Sequence, residues 1–185
     1  MSILRSFAGY YIKAISTHPW KTTALATGLL CGTGDIIAQQ VVERHGIYSH
    51  DTRRTTKLFA MGLFFIGPGL RSWYVVLDRL VIGTSSSVVI KKVLLDQGIW
   101  APTFIAAFFT VSDVIDGKSF GDIRRRLQHS YIPALQANYM LWPWVQLANF
   151  YFIPVQHRVI VVNFVALFWN TYLAWAVNKN IDNVV

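Results

Sequence analysis

The chain has few charged residues and almost no cysteine. Charged side chains make up 14% of its 185 residues, whereas a soluble domain of this length usually contains about 25%. Hydrophobic residues account for 54%. Because Cys31 is the single cysteine, an intrachain disulfide and a metal site built from several cysteines are excluded. The composition favours an integral membrane protein over an unusually apolar soluble domain.

Motifs of the common nucleotide-binding and hydrolytic sites are also missing. The sequence has no GxxxxGK(S/T) phosphate loop, no GxGxxG after a strand, no HExxH and no GxSxG. The histidines are scattered near the ends of apolar runs, where a lone His is more often structural than a metal ligand. We therefore predict no enzymatic activity, no metal site and no cofactor. The histidines are His18, His45, His50, His129 and His157.

The net charge of +8 is distributed in short basic clusters between apolar runs. Clusters of this kind beside membrane spans attract anionic lipid head groups. The predicted partner is therefore the lipid bilayer, without direct binding of nucleic acid. Basic residues are shared almost equally between the two sides of the predicted spans, so the orientation stays open. The clusters are Arg53, Arg54 and Lys57; Lys91 and Lys92; and Arg124 to Arg126.

Residues 1–21 form an amphipathic basic N-terminal segment without acidic residues. The charged start, apolar stretch and small-residue cleavage site of a secretory signal do not follow one another here. An acid-free basic amphipathic start is typical of mitochondrial import sequences. Many membrane proteins also begin with an amphipathic helix at the membrane interface, and the sequence leaves both interpretations open.

Several apolar runs are long enough to cross a membrane, which requires about 20 mostly apolar residues of helix. A further run, 159–178, is either a fifth crossing or a helix packed inside the others. Residues 119–130 form a basic amphipathic segment that we expect on the membrane surface. The predicted fold is all-α: a polytopic transmembrane helix bundle with four to five spans plus amphipathic interfacial helices, in a single integral membrane domain over residues 1–185. The four main runs are 22–42, 57–82, 93–115 and 129–157.

The first run carries a small-residue stripe and a polar face. Ala24, Gly28 and Gly32 are spaced four apart, and small residues at this spacing let two helix backbones approach closely in lipid. The partner helix lies either in the same chain or in a second protomer, in which case a homo-oligomer forms through this face. Asp35 and Gln39 share one helix face. A charge near the bilayer centre costs about 2.5–3.5 kcal/mol, so Asp35 is predicted to be a pore-lining carboxylate or, alternatively, an acid hydrated at the interface.

The second run is interrupted by the tripeptide GPG at 67–69, which predicts a kink or an unwound turn. Beyond it, Arg71 and Asp78 lie seven residues apart on one helix face, and we expect them to pair through a neighbouring helix. Trp73 and Tyr74 suit an aromatic belt at the membrane interface. Alternatively, everything after Tyr74 lies outside the membrane.

Polar residues mark the third and fourth runs as well. Lys92 and Asp96 are four apart, followed by Gln97, and predict an exposed ion pair at a helix end. Gln146 and Asn149 lie three apart in the stretch 141–158 and form an amide stripe on an apolar helix. Pro143 and Pro154 bracket this stretch and predict bends or helix ends. The stripe favours a wall packed against other helices or facing water.

These motifs resemble the Mpv-seventeen family of mitochondrial and peroxisomal membrane proteins. The resemblance extends over almost the whole chain and is closest to the mitochondrial inner-membrane branch. One departure is Arg71, where many members of the family have His, so a gating role for a protonatable group there is not carried over. The matching motifs are HPWK at 18–21, GDIIAQQ at 34–40, GP followed by WY and LDR at 67–79, KK, LLDQG and AP at 91–102, LWPWVQLANFY at 141–151, IP and R at 153–158, and WNTYLAW at 169–175.

The resemblance implies a protein of the mitochondrial inner membrane, with the peroxisomal membrane as the alternative. It implies a weakly selective channel for small solutes or metabolites, involved in control of the membrane potential and in mitochondrial DNA and nucleotide homeostasis. A non-conducting membrane scaffold and a small-metabolite carrier are the alternatives from the residues alone. The residue patterns and the family resemblance select the same polar positions: Asp35, Gln39, Asp78, Lys92, Asp96, Gln97, Gln146, Asn149, Arg158 and Asn170.

Overall fold

The computed structural model describes the backbone of residues 2–83 and 85–182 and the side chains of residues 9–83 and 85–169. Helices make up almost all of these ranges, which contain no β-strand, and the predicted all-α class is confirmed. A short 3₁₀ turn, Ile47–Ser49, lies in the longest loop. The helices are α1 (Ser2–Thr17), α2 (Pro19–Val42), α3 (Thr52–Leu80), α4 (Ser86–Ile115), α5 (Phe120–Phe152) and α6 (Val155–Asp182).

The described helices belong to two compact units. The first contains α1, α2, the part of α3 up to Ser72 and α6 from Gln156; the second runs from Trp73 to Val155. In the first unit, α2 packs along the first part of α3, and α1 contacts α2. In the second unit, α4 packs along α5. The single integral membrane domain stays a prediction.

Three helices of the described chain, α2, α3 and α4, are long and apolar enough to cross a membrane, with mean hydropathies of 1.2 to 1.5. The described part of α6, Val155–Trp169, is a shorter apolar helix. Helix α5 has 33 residues, enough to cross by length, but it begins with a charged stretch. The choice between four and five crossings remains a prediction.

Side chains on α2 are distributed as in a membrane protein. The exposed positions include the apolar residues Leu25, Leu29 and Ile36, whereas the polar residues Thr27 and Asp35 are buried. Apolar side chains can face lipid, whereas polar groups need hydrogen-bond partners inside the protein because the bilayer core contains no water. This distribution places lipid against the outer face of the helix.

Helix α3 passes through the GPG sequence without unwinding, in contrast to one of the two predicted outcomes. The irregularity lies just before it, in a π-helical turn at Gly62–Ile66, where the N–H of Gly67 donates to the carbonyl of Gly62. A proline has no N–H and its ring collides with the carbonyl four residues earlier. The wider π turn ahead of Pro68 accommodates both effects.

Helix α4 repeats this arrangement. A π turn at Asp96–Trp100 precedes Pro102, and the N–H of Ala101 donates to the carbonyl of Asp96. The carbonyl of Gln97 thereby loses its helical partner, because the next residue in line is the proline. The hydroxyl of Tyr139 on α5 donates to that carbonyl at 2.9 Å. A side chain of the second unit thus satisfies the backbone group that the irregularity frees.

Helix α5 corrects two expectations. The amphipathic segment 119–130 is not a separate surface helix, because it continues without a break into the apolar stretch. Ser119 and Asp122 form a capping box at its start and thereby fix the beginning of the helix. Pro143 lies inside α5 rather than at its end, whereas Pro154 lies in the break between α5 and α6. The stretch 141–158 is therefore not one helix, since its last residues belong to α6.

The small-residue stripe of α2 packs within the chain. A Cβ added to Gly28 would lie 3.1 Å from the carbonyl oxygen of Phe59, and one added to Gly62 would lie 2.8 Å from the Cα of Gly28. One added to Gly32 would lie 3.4 Å from the Phe59 side chain. Since α3 already covers this face, a homo-oligomer would need a different surface.

Candidate functional site

Asp35 is the centre of a buried polar cluster in the first unit. The Asp35 cluster consists of Asp35, Gln39, Glu43, Arg54 and Thr55. Arg54 Nε lies 2.7 Å from Asp35 Oδ1, Gln39 Nε2 donates to Oδ2 at 2.7 Å, and the Thr55 hydroxyl donates to Oδ2 at 2.6 Å. The Asp35 side chain is fully buried. The Asp35 side chain thus has its partners inside the protein and is not exposed to water as in the alternative interpretation.

Gln39 connects this cluster to the loop between α2 and α3. Its side-chain oxygen accepts from the N–H of Asp51 at 2.7 Å, and its Nε2 donates to the carbonyl of Asp51 at 3.1 Å. Asp51 is the N-cap of α3 and accepts from the N–H of Arg54. Because Gln39 is fully buried and bonds both backbone groups of the cap residue, it fixes the start of α3 against the end of α2.

Arg54 also binds Glu43, the last acidic residue of the cluster. Its Nη1 and Nη2 donate to the two carboxylate oxygens of Glu43, both at 2.8 Å. The hydrogen bonds from Arg54 lower the pKa of Glu43, against a smaller opposing effect of burial. A carboxyl group with a lowered pKa in the folded state stabilises that state above its ordinary pKa. This contribution is lost as the pH falls through the lowered value.

We expect an Arg54→Gln variant to lose about 2 kcal/mol of unfolding free energy, because Glu43 loses its charged hydrogen-bond donor and Asp35 loses its ion-pair partner. Arg53→Gln is the matched control, since Arg53 is the exposed neighbour in the same helix turn. Thermal unfolding of both variants in the same detergent measures the difference. Equal stability of the two variants would mean that the Arg54 contacts do not stabilise the fold.

The second unit holds a larger network around Asp96. The Asp96 cluster consists of Asp96, Trp73, Tyr74, Gln97 and Gln146. Trp73 Nε1 donates to Asp96 Oδ1 at 2.7 Å, while Gln97 Nε2 at 2.7 Å and Gln146 Nε2 at 2.9 Å donate to Oδ2. Asp96 is 1% exposed. Three neutral N–H donors from three helices therefore surround one buried carboxyl group.

Tyr74 and Asn149 extend the network through Gln146. Gln146 Nε2 lies 2.9 Å from the Tyr74 hydroxyl oxygen, and Asn149 Nδ2 donates to Gln146 Oε1 at 3.1 Å. The amide stripe of α5 therefore faces the protein interior, in agreement with the packed wall and not with the water-facing alternative. Tyr74 is fully buried and makes an edge contact with Phe150. The aromatic-belt interpretation is wrong for Tyr74, because its side chain is buried inside the unit, and it stays a prediction for the half-buried Trp73.

The predicted Lys92–Asp96 ion pair at an exposed helix end is also wrong. Lys92 and Asp96 are both buried, and the Lys92 Nζ lies 2.6 Å from Asp78 Oδ1. Lys92 on α4 therefore neutralises a carboxylate on α3 and not the one on its own helix. Asp78 therefore has a partner on a neighbouring helix, in agreement with the expectation. This partner is Lys92 on α4 and not Arg71.

The remaining predicted positions are dispersed. In addition to these positions, Asn163 Nδ2 on α6 donates to the Thr27 hydroxyl at 2.6 Å in the first unit. Arg71 and Arg158 are buried, and the side chain of Asn170 lies outside the described residues. Asp35 and Gln39 therefore belong to one cluster, and Asp96, Gln97, Gln146 and Asn149 to another network.

Sequence reasoning missed several members of these clusters. Glu43 directly follows α2, and Arg54 lies in the first turn of α3. Because eleven residues separate them, no local sequence pattern indicates the bidentate pair that they form. Asp113, near the end of the third apolar run, is buried and accepts a hydrogen bond from Arg126 of the basic segment. The signal for the Asp113–Arg126 pair is the opposite charge of these two residues on either side of the short connection between α4 and α5. Among the described residues, no group of three or more His, Cys, Asp or Glu could hold a metal ion.

Helices that bury hydrogen-bonded polar side chains and expose apolar ones define an integral membrane protein of the helical class. The Mpv17 / PMP22 family matches residues 113–174. The chain is 46% identical over 169 residues to the mitochondrial inner membrane protein Mpv17 of Danio rerio and, over the same length, to that of Homo sapiens, covering 91% of this chain and 96% of each relative. It is 38% identical over 168 residues to the protein sym-1 of Neurospora crassa, covering 90% and 96%. No solved structure matches the chain.

The chain belongs to the Mpv17 / PMP22 family and is a protein of the mitochondrial inner membrane. Both the predicted family and the predicted location are confirmed, and the peroxisomal alternative is set aside.

Proposed function

We propose that the protein is a weakly selective channel for small solutes of the mitochondrial inner membrane. Its contribution to membrane-potential control and to mitochondrial DNA and nucleotide homeostasis would follow from the passage of these solutes. The observation that carries the proposal is the chemistry of the polar groups on apolar helices, which mixes carboxylates, cations and amides. A strongly selective filter uses repeated rings of one ligand type, and the described residues contain no such ring.

Asp78 is the residue whose environment best supports a wet pathway. Its side chain is 29% exposed, whereas that of its partner Lys92 is 8% exposed. On an apolar helix, a partly exposed carboxylate beside a buried ammonium requires contact with water or polar head groups, because an ionised group without either is costly. Asp78 and Lys92 would therefore lie where solute and water meet the protein.

Single-channel recording of the purified protein in planar bilayers tests the proposal. We expect discrete currents from the wild type, and we expect Asp78→Asn to change their conductance or gating because it removes a charge from the pathway. Asp122→Asn is the matched control, since Asp122 is a half-exposed acid in the first turn of α5, between the apolar runs 93–115 and 129–157. Unaltered currents from fully inserted Asp78→Asn would contradict the assignment of Asp78, and a silent, folded wild type would contradict the channel.

A non-conducting scaffold is the second candidate, favoured by the hydrogen bonds that Asp35 and Asp96 accept from side chains of neighbouring helices. In that case Asp35 and Asp96 would hold helices together, as polar side chains do in membranes. The scaffold predicts that Asp35→Asn and Asp78→Asn lower stability while reconstituted protein carries no current. Saturable uptake of a defined solute into liposomes would instead support a small-metabolite carrier.

A further inference from the structure

Arg71 is a buried cation whose hydrogen bonds are incomplete. It lies on α3 and is 7% exposed. Its Nε and Nη1 atoms are buried, and neither has a hydrogen-bond acceptor among the described residues. Together these two atoms carry most of the N–H donors of a guanidinium. The side chain therefore differs from Arg54 and Lys92, which direct their charges onto carboxylates.

Within the part of the chain that the structure describes, no carboxylate forms an ion pair with Arg71. In the first unit its charge acts on Tyr11 of α1 and partly offsets the effect of burial, which raises the pKa of this phenol. The Tyr11 hydroxyl lies 3.3 Å from Nδ1 of His157 on α6. A neutral phenol does not compensate a positive charge, and removing a guanidinium from water without a partner is unfavourable. A bound anion would supply both the missing charge and the missing acceptors.

An oxyanion fits this position by its chemistry. Arginine presents planar donors that match the oxygen atoms of phosphate and carboxylate groups, and it stays protonated even when buried. Tyr11 contributes a hydroxyl on the same unit, which can donate to an anion or accept from Arg71. These groups belong to three helices of the first unit, α1, α3 and α6, so the position is formed by the tertiary structure.

We propose that Arg71 is the binding residue of a site for a phosphate-type oxyanion. The anion is the phosphate of a small solute or of a lipid head group, since both present the same oxygen atoms. This site does not depend on the proposed channel, because it binds its anion whether or not the protein conducts.

Binding to purified, lipid-depleted protein tests the site. Inorganic phosphate is titrated against the thermal unfolding temperature in a neutral detergent, and the same measurement is made in phosphatidylcholine nanodiscs with and without phosphatidic acid. The variants are Arg71→Gln, which removes the charge, and Arg71→Lys, which keeps the charge on a compact head. Arg79→Gln is the control, because Arg79 is an exposed cation on the same helix.

We expect phosphate or phosphatidic acid to stabilise the wild type and the Arg79→Gln variant alike. Arg71→Gln should weaken this binding about tenfold or more, as expected for the loss of charged hydrogen bonds. Arg71→Lys should bind more weakly than the wild type and more tightly than Arg71→Gln; should Arg71→Gln not fold, the drop in affinity from the wild type to Arg71→Lys carries the test. Stabilisation by phosphate in detergent would identify a solute site, and stabilisation by phosphatidic acid alone would identify a lipid site.

Three outcomes would overturn the proposal. The first is a wild type that neither probe stabilises, which would mean that water hydrates the guanidinium. The second is a folded Arg71→Gln variant that binds as tightly as the wild type, or, in its absence, an Arg71→Lys variant that does. The third is an equal loss of binding in Arg79→Gln, which would indicate general attraction of anions to a basic protein.

Discussion

Replacement of Asp96 by leucine is expected to lower the free energy of unfolding by about 3 kcal/mol or more. Leucine leaves the N–H groups of Trp73, Gln97 and Gln146 without their acceptor, and each buried donor left unsatisfied costs about 1–3 kcal/mol. The sum is moderated because unfolded helices in a membrane also find polar partners. Thermal unfolding in detergent measures the loss, and the emission maximum of the tryptophans reports the altered environment of Trp73.

Asp96→Asn is the matched variant for this experiment. An asparagine keeps the size of the side chain and one oxygen atom that can accept, so we expect a smaller loss than with leucine. If leucine is tolerated as well as asparagine, the network does not hold α4 to its neighbours in the second unit. The order wild type, Asp96→Asn, Asp96→Leu in stability is therefore the expected result.

Replacement of Gly62 by alanine is the second change with a large expected effect. The added Cβ would lie 2.8 Å from the Cα of Gly28 and 2.9 Å from the carbonyl oxygen of Thr27. Both contacts are with backbone, which has no alternative rotamer, so α2 and α3 must move apart. Overpacking of this kind costs about 1–3 kcal/mol, and we expect a lower unfolding temperature together with a loss of the close contact between the two helices.

Gly98→Ala provides the control, because nothing lies within 4 Å of a Cβ at that position. Both substitutions lie in π turns and gain the same intrinsic helix propensity, about 1 kcal/mol between glycine and alanine. The difference between the two variants therefore isolates the packing of α2 against α3. Gly62→Ala with the stability of Gly98→Ala would show that the helices separate without cost.

The sequence by itself determined the helical membrane class and the approximate limits of the apolar segments. These follow from composition and run length, because lipid requires continuous apolar helices whatever they pack against. It also determined which polar residues are unusual, since Asp35, Asp96 and Gln146 stand out within apolar runs. The family resemblance came from ordered motifs in the same way.

Only the tertiary structure decided the partners of those polar residues. Asp35 receives Arg54 from beyond a loop and Asp78 receives Lys92 from the next helix, pairings between residues that lie far apart along the chain. Local spacing predicted a pair between Lys92 and Asp96, because two residues four apart share a helix face. In the fold, Lys92 pairs with Asp78, and Asp96 accepts hydrogen bonds from Trp73 and Gln146. The sequence also does not show that two nitrogen atoms of Arg71 lack an acceptor among the described residues, because this depends on which side chains surround the guanidinium in the fold. Local chemistry thus identifies the residues that need partners, and the packing of helices determines which partner each one finds.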